Sequence, residues 1–136
     1  MSNHSFVKDT TLPDGVDSET WIICGSVKHA EKLMDKIASE LKLRGIKSIT
    51  PRAVPHYPAV TLPEKVTDMG TYYHMIETGK GIVIANEDDY VGKATTMELS
   101  YSLALDKEIY FYYQPQNDLE FRALVYCGRA KIGLPL

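Results

Sequence analysis

Four short apolar runs, separated by helix-length segments, constrain this chain more than any other feature. They are Trp21-Ile22-Ile23-Cys24, Ile46 to Ile49, Ile82-Val83-Ile84-Ala85 and Glu108 to Tyr113. Runs of this kind suit a parallel sheet covered by helices on both faces. Between the first two, Ala30, Leu33, Met34, Ile37 and Leu41 recur at helical spacing, with Lys32, Asp35, Lys36 and Glu40 opposite. Gly45 ends that helix, giving a βαβ unit with a right-handed crossover. Val66 to Thr78 predicts a second helix despite Gly70. A third helix is expected from Thr96 to Asp106, and Asn117-Asp118 caps a last one through Tyr126. The pattern predicts an α/β fold with a doubly wound parallel sheet. The expected strand order is 2-1-3-4, and the order reverses between strands 1 and 3.

At 136 residues the chain has the length of one domain and can bury a substantial core. Residues 1–19 are polar, carry the turn signal Pro13-Asp14-Gly15, and read as a loose N-terminal arm. Residues 20–136 form the α/β domain. Pro51 to Pro63 holds four prolines and is expected to be a long surface loop acting as a partial lid. After Gly128 a short tail follows.

The formal net charge of −3 argues against a partner that is polymeric nucleic acid. Cys24 and Cys127 do not make a disulfide framework, and no Cys/His spacing points to a metal. No apolar run approaches a membrane span, and the polar start lacks the apolar core of a signal peptide. A soluble, cytoplasmic protein without a cofactor is expected.

In an open α/β sheet, ligands bind beyond the carboxyl ends of the strands where the order reverses. That brings Gly25-Ser26 and the acidic segment Asn86 to Thr95 to one crevice. Gly25-Ser26 offers backbone N–H groups and a hydroxyl suited to phosphate or a sugar hydroxyl. Ser26 also reads as a simple helix cap. Thr95 and Glu98 fit a capping box, with Glu98 reaching back to the first amide of the helix. Alternatively, Glu98 is a nucleophile or base, and Asp89 paired with it supplies the two carboxylates that glycoside chemistry uses. Asp88 and Asp89 also read as a solvated turn. His74, in the helix before strand 3, is either a packing residue or a candidate catalyst. Tyr72, Tyr73, Tyr90 and Tyr101 could stack on a base. Tyr110, Phe111, Tyr112 and Tyr113 make an aromatic strand suited to core or subunit contact.

Taken in order, Ile23-Cys24-Gly25-Ser26, His74, Asn86, Tyr90-Val91-Gly92, Thr95 and Glu98 resemble the nucleoside 2-deoxyribosyltransferase superfamily, especially its small bacterial and phage members. The similarity spans about residues 21 to 113 and is most specific from Asn86 to Ala104. The resemblance implies a flavodoxin-like, Rossmann-like sheet and active sites often completed by a neighbouring subunit. It implies Glu98 as the nucleophile on the anomeric carbon; on that reading Asp89 or His74 would assist the leaving base or orient the sugar. Cys24, Gly25, Ser26, Asn86, Tyr90, Gly92 and Thr95 are then substrate-binding. Departures accompany it. Asp89 stands where Gly is common, Ala94 where Ser is, and Gly81 where an acid precedes strand 3. Tyr72-Tyr73-His74 occupies the helix that presents an Asp in the characterised enzymes.

The leading expectation is an enzyme that cleaves or exchanges the N-glycosidic bond of a nucleoside or nucleotide and needs no metal. The missing Asp motivates an alternative, a non-catalytic nucleotide-binding sensor or sequestering protein. A third reading is a structural subunit. A homo-oligomer is expected, most simply a dimer formed through the aromatic strand and the Tyr101 helix.

Overall fold

The structure is a computed structural model that describes residues 11–136; the first ten residues of the expected arm lie outside the described residues. Its centre is a five-stranded, all-parallel sheet in the order β2-β1-β3-β4-β5. The strands are β1 (Trp21–Gly25), β2 (Ser48–Ile49), β3 (Gly81–Ala85), β4 (Glu108–Phe111) and β5 (Lys131–Ile132). The helices are α1 (Glu31–Leu43), α2 (Leu62–Thr78), α3 (Lys93–Ala104) and α4 (Leu119–Tyr126). This is the doubly wound, flavodoxin-like α/β architecture, with the order reversing between β1 and β3.

Alternation along the strands separates two cores. Trp21, Ile23, Val83 and Ala85 face α1, meeting Leu33, Met34, Ile37 and Leu41. Ile22, Cys24, Ile82, Ile84, Ile109 and Phe111 face the other way, onto α2, α3 and α4. Both sheet faces are therefore buried, which is why the strands read as continuous apolar runs. Burying each large aliphatic or aromatic side chain contributes about 1.5–3 kcal/mol. At Gly45, φ is +73°, a left-handed turn that ends α1 and releases the chain toward β2.

Several expectations are corrected. The tail after Gly128 contributes β5, which two residues of weak pattern could not announce. The arm's described part is not loose, since Leu12 and Val16 pack on the core. α2 begins at Leu62, four residues early, inside the expected proline loop. Thr61 is its N-cap, accepting from the Glu64 amide at 3.3 Å, while Glu64 accepts from the Thr61 amide at 3.2 Å. Pro63 sits in the first turn, where its missing N–H costs nothing. The same loop opens with a single 3-10 turn over Pro51–Ala53. α3 begins at Lys93 with Gly92 as its N-cap. Asp118 caps α4 as expected, accepting from the Phe121 amide at 2.9 Å.

Candidate functional site

The loops leaving β1 and β2 meet helices α2 and α3 at the carboxyl edge of the sheet. They enclose a cavity of about 310 Å³ between Gly25 and Lys28 on one wall, residues 51–59 on another, and Asp68, Tyr72 and Glu98 on the helices. Larger hollows of about 500 and 550 Å³ occur elsewhere, but neither is lined by a buried acidic residue.

The roof of the cavity is tied down. Arg52 bridges to Asp35 at 2.7 Å and to Glu31 at 3.3 Å. The Tyr57 hydroxyl donates to Glu31 at 2.7 Å. Burial, then that carboxylate, pushes the Tyr57 phenol up to about 12. From the α2 side, Asp68 accepts from the His56 amide at 3.0 Å. The expected lid thus has contacts to both flanking helices.

Glu98 lies in the second turn of α3 and lines the cavity. Because Gly92 is the N-cap, Thr95 is already inside the helix and Glu98 is three residues beyond the reach of a capping box. The reciprocal box in this chain is the one at Thr61 and Glu64. Burial raises the Glu98 carboxyl to about 8, opposed first by the nearby Cys24 thiol and then by the charge of Lys65. The physical cause is desolvation, which disfavours the charged form of a carboxyl group wherever water is excluded. Beneath it, Cys24 is fully buried, and its thiol is pushed up by burial and then by Glu98. The Tyr72 hydroxyl donates to the Ile23 carbonyl and lies against Cys24.

The remaining sequence candidates divide by position. Gly25 faces the cavity, and its lack of a side chain is a packing requirement: a Cβ there would sit 3.0 Å from Met34 Sδ and 3.1 Å from Ala85 Cβ. Ser26 accepts from the His29 amide at 3.2 Å, closing a turn that precedes α1 without capping the helix itself. Asn86 is buried and holds the backbone of Tyr113 with both ends of its amide, donating at 2.7 Å and accepting at 2.9 Å. Asp89 accepts from the Gln116 amide at 3.0 Å and from the Asn117 amide and side chain, each at 2.9 Å. Its carboxylate is thereby bound to the loop after β4 and does not line the Glu98 cavity.

Tyr90 is exposed and packs at a tilt against His29, with ring centroids 4.5 Å apart, bridging the loops after β1 and β3. The Gly92 carbonyl accepts from Thr96, and Thr95 is buried. His74 follows Tyr72 by two residues, about 200° around α2, and does not line the cavity. Gly81 has its own explanation, since a Cβ would meet Trp21 at 2.6 Å and the Glu108 carbonyl closer still. The aromatic strand is partly internal: Tyr110 and Tyr112 pack on the α1 side, and Tyr112 donates to Glu40 at 2.7 Å.

No model of a known protein family matches this sequence, and no curated protein matches it. Among the described residues no group of three or more His, Cys, Asp or Glu is placed to hold a metal ion. None of their helices is long and apolar enough to cross a membrane.

Sequence reasoning missed Asp68, Lys65 and Tyr57. Asp68 is the informative omission, an acid buried on the inner face of α2, one turn before Tyr72 and in the same cavity as Glu98. A helix starting at Val66 puts Asp68 in its first turn, where an acid reads as a partner of the helix dipole. Its spacing from Tyr72 and Met75 on one buried face was the available signal.

Proposed function

We propose that the protein cleaves or exchanges the N-glycosidic bond of a nucleoside or nucleotide, as its resemblance to the nucleoside 2-deoxyribosyltransferases implies. The observation that carries this reading is Glu98. It is a carboxylate without a capping role, facing a cavity at the switch point of a doubly wound sheet. Glu98 attacks the anomeric carbon as the base leaves, and the resulting glycosyl ester passes to water or to a second base. Asp68, rather than Asp89 or His74, lines the cavity with Glu98, and it orients the sugar or assists the departing base. Lys28 and Lys65 line the same cavity and suit an anionic substituent. A cavity of about 310 Å³ is at the small end for ligand sites and matches one nucleoside better than a polymer.

Incubation with a panel of nucleosides and 5′-monophosphates, with and without an acceptor base, tests this. Free base without acceptor indicates hydrolysis, and exchange only with acceptor indicates transfer. No base from any member of the panel refutes the enzyme reading.

A second reading, nucleotide binding without turnover, is favoured by the raised Glu98 carboxyl. With its ordinary value pushed up to about 8, Glu98 is mostly protonated at neutral pH and donates a hydrogen bond better than it attacks. Intact nucleotide held stoichiometrically would support that reading.

The proposal includes a homodimer in a reducing, cytoplasmic setting. The apolar surface nearest the cavity is on α2 and α3, where Leu62, Val66 and Met97 are 76, 52 and 45% exposed. A second chain there would cover this surface and border the site. A monomeric mass by light scattering would remove this part of the proposal.

A further inference from the structure

Two aromatic rings line the cavity, those of Tyr57 and Tyr72. Tyr72 belongs to the core: it is 4% exposed, and its hydroxyl is committed to the Ile23 carbonyl. Tyr57, in the roof, is only partly buried and has ring surface to offer a ligand. Pro51, Val54, Pro58 and Met69 make much of the same lining apolar, and Lys28, Lys65, Asp68 and Glu98 supply its polar part. An apolar lining with a few polar groups suits a planar heterocycle that carries a polar substituent.

The Tyr57 ring is held from outside the cavity. Its hydroxyl donates to Glu31 Oε2 at 2.7 Å, and Arg52 Nη2 bridges to the same oxygen at 3.3 Å. Through Nη1, Arg52 also reaches Asp35 at 2.7 Å, one turn further along α1. On the other side, the amide of His56, the residue before the ring, donates to Asp68 of α2 at 3.0 Å. The backbone leading to the ring is thus tied to α2, and the far end of the ring to α1. A tyrosine has two side-chain torsions, and a charged acceptor at its hydroxyl restrains both. Glu31, Asp35 and Arg52 do not themselves line the cavity, so they reach a ligand through the roof.

We propose that Tyr57 is the platform on which the planar base of the substrate stacks, and that Glu31, braced by Arg52, is the positioning residue that fixes the ring. The ligand class is a heterocyclic base joined to a sugar, so the inference rests on the nucleoside or nucleotide reading of the site. Every base has a π-face, so Tyr57 favours base-bearing ligands over abasic sugars without choosing among bases. Fixing the ring in advance removes an ordering cost that binding would otherwise carry.

Equilibrium binding by calorimetry tests this, with nucleosides and their 5′-monophosphates as probes and 2-deoxyribose 5-phosphate as the abasic control. Tyr57→Leu keeps apolar bulk and removes the π-face. It should weaken the base-bearing probes about thirtyfold and leave the abasic control within about twofold of wild type. Tyr57→Phe keeps the face and frees it from Glu31, for a loss of about threefold. Glu31→Ala should reproduce that smaller loss, and the double variant should bind no worse than the weaker single one, because both act through one contact. Wild-type affinity in Tyr57→Leu, an equal loss on the abasic control, or a Tyr57→Phe protein as weak as Tyr57→Leu overturns the platform. Losses that add in the double variant overturn the role of Glu31. If Tyr57→Leu does not fold, a Glu31→Ala loss shared by the abasic control overturns the proposal equally. Binding without base release removes the enzyme reading, and the same isotherms still decide the role of Tyr57. A wild type that binds no probe overturns both.

Discussion

Two sides of the sheet's carboxyl edge are built on different principles; the framing side chains of the first, Ser26, Asn86, Asp89 and Tyr90, do not line the Glu98 cavity. On the wall formed by the loops after β1 and β3, polar side chains are committed to the frame. Asn86 holds Tyr113, Asp89 holds residues 116 and 117, Ser26 closes a turn, and Tyr90 packs at a tilt against His29. On the α2–α3 wall, Tyr72 and Asp68 are buried, Glu98 beside them lines the cavity, and desolvation displaces its carboxyl far from its ordinary value. Satisfied hydrogen bonds make the first wall rigid and chemically quiet. Desolvation makes the second reactive, since perturbed titratable groups in a cleft are where acid, base and nucleophile roles concentrate.

The largest effect expected from this contrast is on Glu98→Gln. The amide is nearly isosteric but cannot form a glycosyl ester, so base release should fall at least about a thousandfold. Because Glu98 has no capping role, helix α3 should keep its stability. Base release near the wild-type level would move the chemistry off the α2–α3 wall altogether.

Stability against pH sharpens the same point. The Glu98 carboxyl titrates near 4.5 in the unfolded chain and near 8 in the folded one. Between these values the folded protein holds a proton that the unfolded chain has released. Stability from this group is thus fully present below the unfolded value and is lost as pH rises through the folded one, with a slope of about 1.4 kcal/mol per pH unit at most. Melting temperature should therefore decline from pH 5 to 8 in the wild type, and Glu98→Gln should lose most of that decline. Parallel curves for the two proteins would mean that Glu98 is not desolvated.

For the framing wall, Asn86→Ala is the strongest probe. It leaves both the N–H and the C=O of Tyr113 without their partner beside a fully buried strand, a loss of about 2–3 kcal/mol. The cost should appear in the denaturant midpoint, with the pH dependence of any activity unmoved. A shifted pH profile at unchanged stability would instead make Asn86 part of the reacting side.

Which wall was legible in the sequence follows from the same contrast. The sheet order and the switch point came from local apolar periodicity, a short-range signal that survives in one chain. The segment from Asn86 to Glu98 stood out because its residues are contiguous. Their division of labour did not show, because it depends on the β4–α4 loop that Asp89 and Asn86 grip about 27 residues away. Asp68 was hidden for a related reason: its environment is set by His56 and by the roof, and no pattern within α2 encodes that. The capping box was misplaced because Thr95 with Glu98 and Thr61 with Glu64 have identical spacing. Only the entry of the chain into each helix, through Gly92 or through Thr61, tells them apart. β5 is two residues long and exposed, and it takes its place from pairing with β4.

The smallest expected effect is also the one that most directly separates the walls. Asp89 adopts φ of +61°, following Asp88 at +54°, a left-handed pair that short polar residues tolerate. Asp89→Asn keeps that tolerance and one acceptor oxygen, so the turn survives while at least one of the three hydrogen bonds from residues 116 and 117 weakens. A stability loss of about 1 kcal/mol or less is expected, as for partly exposed hydrogen bonds. Base release should stay within about twofold of wild type, because the side chain acts on the frame and not on the leaving base. An Asp that protonated the base would behave oppositely. Its amide cannot serve as an acid, and turnover would fall about a hundredfold or more with the melting temperature unchanged. That outcome would place the second carboxyl of the reaction on the framing wall and return Asp68 to a structural role, holding the roof through His56. The matched variant Asp68→Asn completes the comparison. It should retain the bond to the His56 amide through its carbonyl oxygen, yet lose base release, if the reactive carboxyls both belong to the α2–α3 side.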